Sequence, residues 1–385
     1  MRTLIHSVDI IESGQRLPGA WALLDDDGVL ATGQTTPWQD VSAEADVVID
    51  AVEMAGEGAI LTPGFIDVHG HGGAGFAYDD GVDAIRAARD VHRSHGTTRA
   101  VISLVTAPID DLAANVALIA ELTRTDRDIL GSHLEGPFLD PGHKGAHDPE
   151  LLRAPKVALV QRLLDAGEGT VRQITLAPEL SGGLDAVRAV VASGAVAAVG
   201  HTDADAETAG EAFDAGATLI THAFNAMPGI HHRKPGPVVA AASDPRVRLE
   251  IIADGTHVDL DLIRMMFASA PGRMVLVTDA MAAAGVGDGD YILGALAVEV
   301  RNGVARLAEG GSIAGSTLTQ DAALRNVVQA GVPLEQTVDA LTRTPAELIG
   351  RGDDLGRLRQ GYAADAVLLD RDLHVRAVWA DGVRV

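Results

Sequence analysis

The sequence predicts an α/β protein: a (β/α)8 TIM-like barrel with a small β-sandwich domain built from both chain ends. Three observations predict it. Short β-branched or apolar runs alternate with helix-periodic stretches through the middle of the chain. The two ends read instead as short strands joined by tight turns. Residues suited to holding a metal recur where the middle runs stop.

Residues 1–58 read as strands and turns. Within them 20–30 (AWALLDDDGVL) is a hairpin, with Asp27-Gly28 at the turn, a pair that tolerates left-handed backbone. Near the other end, 366–369 and 374–379 are strands, and Asp381-Gly382 turns the chain again. The expected domains are therefore 1–58 plus 351–385 as the β-sandwich and 59–350 as the barrel. Eight strand-like runs fall in the barrel: 60–68, 97–103, 128–134, 171–177, 195–200, 217–221, 248–253 and 274–278. Helical patterns between them include 83–95, 111–124, 149–166, 206–215 and 260–268. Eight βα repeats over about 250 residues is the size of this barrel. A doubly wound open sheet is the other reading of the same alternation.

Composition narrows the function. The 385 residues are 47% apolar and 22% charged, as in a soluble globular protein. Aromatics are only 3%, so the core rests on Ala, Val, Leu and Ile. A net charge of −24 repels nucleic acid and anionic membrane, and an anionic substrate would need a local basic patch. With no Cys, disulfides and thiolate ligands are excluded, and any metal must be held by His, Asp or Glu. No GxSxG elbow occurs, and no P-loop or GxGxxG motif precedes a helix, so nucleotide phosphates are not cradled in those ways. The start, MRTLIHSVDIIESGQ, has no apolar core of a signal peptide, and no run is long enough to span a membrane, so a cytoplasmic location is expected.

The candidate ligands follow the strands. His69-Gly70-His71 ends the first run, and side chains two apart on a strand share a face. Glu135 ends the third run, His201 the fifth, His222 the sixth and Asp279 the eighth. In a barrel these ends converge on the face where active sites are built. Each position alone would suit a satisfied loop or core residue; the set points to zinc or iron rather than to an all-oxygen magnesium or calcium site. The fourth run ends Ala177-Pro178-Glu179 without a Lys, so a ligand bridging two ions would have to be Glu135. His257 and His147 read as surface or site residues, and His133 as packing behind Glu135. The stretch 222–237 gathers His231, His232, Arg233 and Lys234. It is either a solvated loop or an anion site, since guanidinium offers a fork of donors to phosphate.

The motifs PGFIDVHGHG, HLEGPFL, GAH, VGHT, THAFNAM, HHRKPG, ADGTHV, VTDAM and AGST follow one another from about residue 59 to 320. In this order they resemble the N-acetylglucosamine-6-phosphate deacetylases of the amidohydrolase superfamily. The closing LGRLRQGYAADAVLLD resembles the returning sandwich segment of amidohydrolases in general. The resemblance implies metal-dependent hydrolysis of the acetamide of a phosphorylated amino sugar. It implies one or two divalent ions, zinc first, with iron, cobalt or manganese as alternatives. It implies Glu135, His201 and His222 as ligands of the main ion, His69 and His71 as the pair for a second, and Asp279 as the catalytic carboxylate. His257 matches a residue beside the scissile carbonyl and His147 a sugar-binding residue. Asn225, Ala226, His232 and Arg233 match a phosphate site, with the Arg and its neighbour supplied by a second subunit, which implies a homodimer. Lys234 departs from the family, where many members carry Glu. The galactosamine epimer, a related cyclic amidase or deaminase, and a silent scaffold on the same fold are the alternatives.

Overall fold

The computed structural model describes residues 1–385. The chain divides into two compact units, Met1–Ile66 with His92–Arg99 and Gln320–Val385, and Asp67–Val91 with Ala100–Thr319.

In the first unit the two chain ends share one sheet. Its order is Val383–Arg384, Val375–Ala380, Ala366–Leu369, Ile60–Pro63, Thr3–Glu12, Gln15–Asp25 and Gly28–Gly33, with Val47–Asp50 joining Thr3–Glu12 from the side. The hairpin expected at 20–30 is present. Asp25 Oδ1 closes its turn by accepting from the backbone N–H of Asp27 at 2.9 Å and of Gly28 at 3.1 Å. Ile5, Ile10, Leu24, Leu61, Leu368 and Trp379 form the centre of this unit's core.

The barrel expected from the alternation is the observed architecture. Its strands are β1 (Phe65–Asp67), β2 (Thr97–Leu104), β3 (Ile129–Glu135), β4 (Val171–Leu176), β5 (Val196–Val199), β6 (Leu219–Ile220), β7 (Arg248–Ile252) and β8 (Met274–Val277). They hydrogen-bond in chain order, and the pairs from β2 to β8 are parallel. The two ends of this sheet meet: Asp279 N–H donates to the His69 carbonyl at 2.8 Å, and Thr278 Oγ1 donates to Asp67 Oδ2 at 2.6 Å. β2 and β3 are buried along their whole length, as strands covered on both faces must be.

Three local departures have physical causes. The run expected at 60–68 breaks at Gly64, with Ile60–Pro63 in the first unit's sheet and Phe65–Asp67 as β1. A Cβ at Gly64 would lie 2.1 Å from Thr98 Oγ1, so only glycine fits this crossing. The helix expected over 149–166 begins only at Val157: Pro149–Leu151 is a single 3-10 turn, and Pro155 keeps its neighbourhood extended until Lys156 caps Val157–Ala166. The other four expected helices, observed as Val82–Ser94, Ile109–Leu122, Ala206–Asp214 and Leu260–Ser269, lie within two residues of expectation at each end. Finally, an antiparallel sheet that no motif announced follows β8: Gly289–Leu293, Leu296–Arg301 and Val304–Leu307. Its buried side, with Leu293, Val298 and Val300, packs against Val105 and Met281. No helix is long and apolar enough to cross a membrane.

Candidate active site

The candidate ligands stand at the C-terminal ends of the barrel strands, and most are set just past them. Glu135 is the last residue of β3, whereas His69, His201, His222 and Asp279 each lie two residues beyond β1, β5, β6 and β8. Three of these four take left-handed backbone: φ is 47° at His201, 25° at His222 and 48° at Asp279. For a residue with a Cβ this costs about 1–2 kcal/mol each, and such strain persists only where surrounding contacts hold it. At His201 the preceding Gly200 makes room, since a Cβ there would sit 2.6 Å from the Thr221 Cβ. The turns aim the side chains inward.

The expected metal ligands converge. His222 Nε2 lies 2.9 Å from Glu135 Oε1 and 3.0 Å from His201 Nε2, which is itself 3.1 Å from Glu135 Oε1. On the other side, His69 Nε2 and His71 Nε2 are 3.2 Å apart. His71 Nε2 is 3.1 Å from Glu135 Oε2 and 3.3 Å from Asp279 Oδ1. Glu135 thus faces one group with each carboxylate oxygen. His147 Nε2 approaches Glu135 Oε2 at 3.5 Å, and Thr106 Oγ1 holds the other nitrogen of that ring at 2.9 Å. All of these side chains are buried.

This donor set fits a divalent metal. Two imidazole nitrogens aimed at each other share at most one proton, so the pairs His69–His71 and His201–His222 direct lone pairs into the same space. Ligand atoms about 2.0–2.1 Å from a tetrahedral ion lie about 3.3–3.4 Å from one another, close to the separations found. His69, His71, Glu135 and Asp279 have their donor atoms within 4.8 Å of one another, and so do Glu135, His147 and His201.

Burial and the two carboxylates pull the groups of the cluster in different directions. Burial opposes charge on His71, but Asp279 and Glu135 outweigh it and push the ring up to about 9. The Glu135 carboxyl is held well below its usual range: burial raises it, and the surrounding imidazoles, His69 foremost, overcome that. His201 goes the other way, to about 4, because burial dominates over Glu135. His133 is driven well below its ordinary value by burial and by the neighbouring rings, so it stays neutral. It bridges Ser103 Oγ at 2.9 Å and Thr175 Oγ1 at 2.8 Å, the packing position expected of it. Asp67 is raised to about 6 by burial, with Thr278 and the backbone N–H groups opposing.

A cavity of about 400 Å³ opens over the cluster, within the range of small-molecule sites. Asp279, His147, His257, Asn225 and Ala226 line it. His257 is oriented by Asp254, whose Oδ2 lies 2.7 Å from Nδ1. The expected phosphate residues divide. Asn225 and Ala226 reach the cavity of this chain, but His232 and Arg233 stay at an exposed tip and contact each other, Nε2 to Nη1, at 2.7 Å. Sequence reasoning missed the roles of Asp254, Thr106 and Glu250 and the cavity wall formed by Leu293, Ser312 and Ile313, while Gly315 on the same wall lies in the AGST motif. Only Asp254 left a signal, three residues before His257 in ADGTH.

Residues 60–385 match the Amidohydrolase family. An N-acetylgalactosamine-6-phosphate deacetylase of Escherichia coli O157:H7 is 39% identical, over 88% of this chain and 92% of its own length. An N-acetylglucosamine-6-phosphate deacetylase of Vibrio furnissii is 37% identical, over 84% of this chain and 82% of its own. Among solved structures, the N-acetyl-D-glucosamine-6-phosphate deacetylase of Mycobacterium smegmatis aligns with a TM-score of 0.93 at 41% identity, covering 100% of this chain and 99% of that one. That protein is an Asp-to-Ala variant in complex with N-acetyl-D-glucosamine-6-phosphate.

Proposed function

The chain belongs to the amidohydrolase family, and on that footing we propose that it hydrolyses the acetamide of N-acetylglucosamine 6-phosphate to glucosamine 6-phosphate and acetate. The observation that carries this reading is the convergence of Asp279, Glu135 and four imidazoles beneath a cavity of about 400 Å³. Several relatives that share most of the chain's length act on this class of sugar phosphate.

An amide is a weak electrophile with a poor leaving group, so both ends need help. Glu135, His201 and His222 would hold one divalent ion and His69 and His71 a second; when bound, such an ion would supply a Lewis acid and lower the pKa of water toward about 7. Zinc suits these borderline donors best, ahead of iron, cobalt and manganese. Asp279 accepts the proton of the attacking water, and its short reach to His71 keeps the carboxylate aimed inward. The same carboxyl then hands that proton to the amine nitrogen as the C–N bond breaks. His257, held at Nδ1 by Asp254, turns Nε2 to the carbonyl oxygen and stabilises the charge that develops there. His147 binds a sugar hydroxyl, while Asn225 and Ala226 begin the phosphate site. His232 and Arg233 complete that site in a second subunit, so the working form is a homodimer. The protein works in the cytoplasm, where sugar phosphates are retained.

The test is acetate release by metal-replete protein from the 6-phosphates of N-acetylglucosamine and N-acetylgalactosamine, with unphosphorylated N-acetylglucosamine as control. The relative of Escherichia coli is the specific reason to include the galactosamine epimer. Release from the glucosamine compound should be fastest. No release from either phosphate would sink the assignment, and faster release from the epimer would move it to that substrate.

A further inference from the structure

Glu250 lies in the middle of β7 and is fully buried. Its Oε2 is 3.0 Å from His69 Nδ1 and accepts the backbone N–H of His222 at 3.2 Å. Its Oε1 accepts from Gln173 Nε2 at 2.8 Å. Its own carbonyl takes the N–H of Ala223 at 2.8 Å. One residue therefore touches the ring of His69 and both sides of the left-handed turn at His222, where φ is 25°. The other rings are held differently. His201 Nδ1 meets the His143 carbonyl at 2.9 Å, and Nδ1 of His71 and of His222 has no partner.

A carboxylate only accepts, so its contact with His69 requires the proton on Nδ1 and leaves the lone pair on Nε2. That is the nitrogen 3.2 Å from His71 Nε2 and 3.3 Å from Glu135 Oε1. We propose that Glu250 is the positioning residue that makes His69 a metal ligand and, by pinning the His222 turn, couples the His69–His71 pair to the His201–His222 pair. This rests on the metal-dependent reading above.

Two substitutions grade the effect. Glu250→Gln keeps the shape, and Gln173, whose Oε1 has no partner, can turn its amide to meet the new NH₂ group. Hydrogen bonds survive and only the charge is lost. Glu250→Leu removes every acceptor and leaves the His222 N–H unmatched. Zn²⁺ affinity is read by competition with a chromophoric chelator on metal-stripped protein. Carboxylate partners behind ligating His rings are worth about 10–100-fold in affinity, so the weaker Zn²⁺ position should drop roughly tenfold in the Gln variant and about 100-fold in the Leu variant. The stronger position should weaken only in the Leu variant. If the wild type takes one ion, both variants should weaken it where His69 is a ligand, and only the Leu variant where it is held by His201 and His222.

A purely structural role predicts something else: a lower Tm, with both positions emptying in proportion and an unchanged Co²⁺ absorption spectrum per bound ion. In a His69→Ala background, where only the stronger position remains, Glu250→Gln should have no effect on Zn²⁺ affinity, because the ring it acts through is gone. Persistence of the effect there overturns the proposal, as does wild-type Zn²⁺ affinity in both variants. If Glu250→Leu fails to fold, the Gln variant and the His69→Ala background still decide. A wild type that takes up no Zn²⁺ overturns this proposal and the metal-dependent reading together. Zn²⁺ uptake unchanged by either substitution overturns the role of Glu250 alone.

Discussion

The barrel mouth and the tip of the loop that follows β6 are parts of one functional proposal, yet they are built in opposite ways. At the mouth, Glu135 and the imidazoles of His69, His71, His201 and His222 are buried and meet at 2.9–3.3 Å. Hydrogen bonds hold the three strained turns: Glu250 of β7 at His222, His69 and Ser316 at Asp279, and Asp140 at His201. Residues 231–235 at the tip are exposed, and their links are local: the His231–Lys234 bridge and the contact of Arg233 with His232. On the proposed function, chemistry is preorganised within one chain, whereas the tip would acquire the surroundings of an anion site only in a second subunit. Errors at the mouth should therefore abolish turnover, and errors at the tip should weaken binding.

The largest effect tests the mouth directly. His201→Ala or His222→Ala should empty the main metal position and reduce acetate release to background. His69→Ala or His71→Ala should remove only a second ion and leave measurable turnover. Elemental analysis of the four purified variants checks this, and equal metal loss in all four would contradict two separable groups. Next comes Asp279→Asn, which keeps shape and removes the base. Its kcat should fall by about 10²–10⁴, the usual worth of a general acid–base group, with metal content unchanged. A rate near wild type would remove Asp279 from the proton path.

How far the sequence disclosed these two regions also differs. The candidate ligands were legible because a barrel sends every strand end to one face, and His or carboxylate at five such ends is hard to explain otherwise. Their left-handed turns were not, since nothing local marks His201 or Asp279 as lying two residues past a strand. Glu250 was invisible for a stronger reason. It sits in RLEII as one polar residue in an apolar run, and its partner His69 is 181 residues away in sequence. Only closure of the barrel brings them together. The wall bearing Leu293 and Ile313 was missed because its strands, with exposed and buried residues alternating, follow β8 after the repeat has ended. At the tip, charge was readable from HHRK, but whether it faces a cavity of its own chain was not.

Arg233→Ala sharpens the comparison from the other side. A charge-assisted, forked contact to phosphate should be worth about 10- to 100-fold in KM, with kcat moving less. Activity on the unphosphorylated sugar should barely change. Mixing Arg233→Ala subunits with Asp279→Asn subunits, under exchange, should restore roughly one quarter of the wild-type rate, because half the dimers are mixed and each has one complete site. No recovery would place Arg233 and Asp279 in the same subunit's site, and an equal loss on both sugars would make the tip structural.

The smallest effect comes from Lys234, beside Arg233 at the same exposed tip. The protein carries a net charge of −24, so a dianionic substrate approaches against a repulsive field, and a lysine here offsets it locally. Being exposed and flexible, its ammonium contributes as a point charge screened by salt rather than as a fixed hydrogen bond. Lys234→Glu should therefore lower kcat/KM for the phosphorylated sugar by less than about tenfold at low ionic strength. The deficit should shrink as salt is raised past about 0.15 M, where the screening length is about 8 Å. Tm and metal content should stay at wild-type values. Arg233→Ala should behave differently under the same titration, retaining most of its defect at high salt because a forked contact is lost and not only a charge. Salt dependence thus separates two neighbours that look alike in sequence. A Lys234→Glu defect that persists unchanged at high salt would mean that the lysine, too, makes a fixed contact with the phosphate.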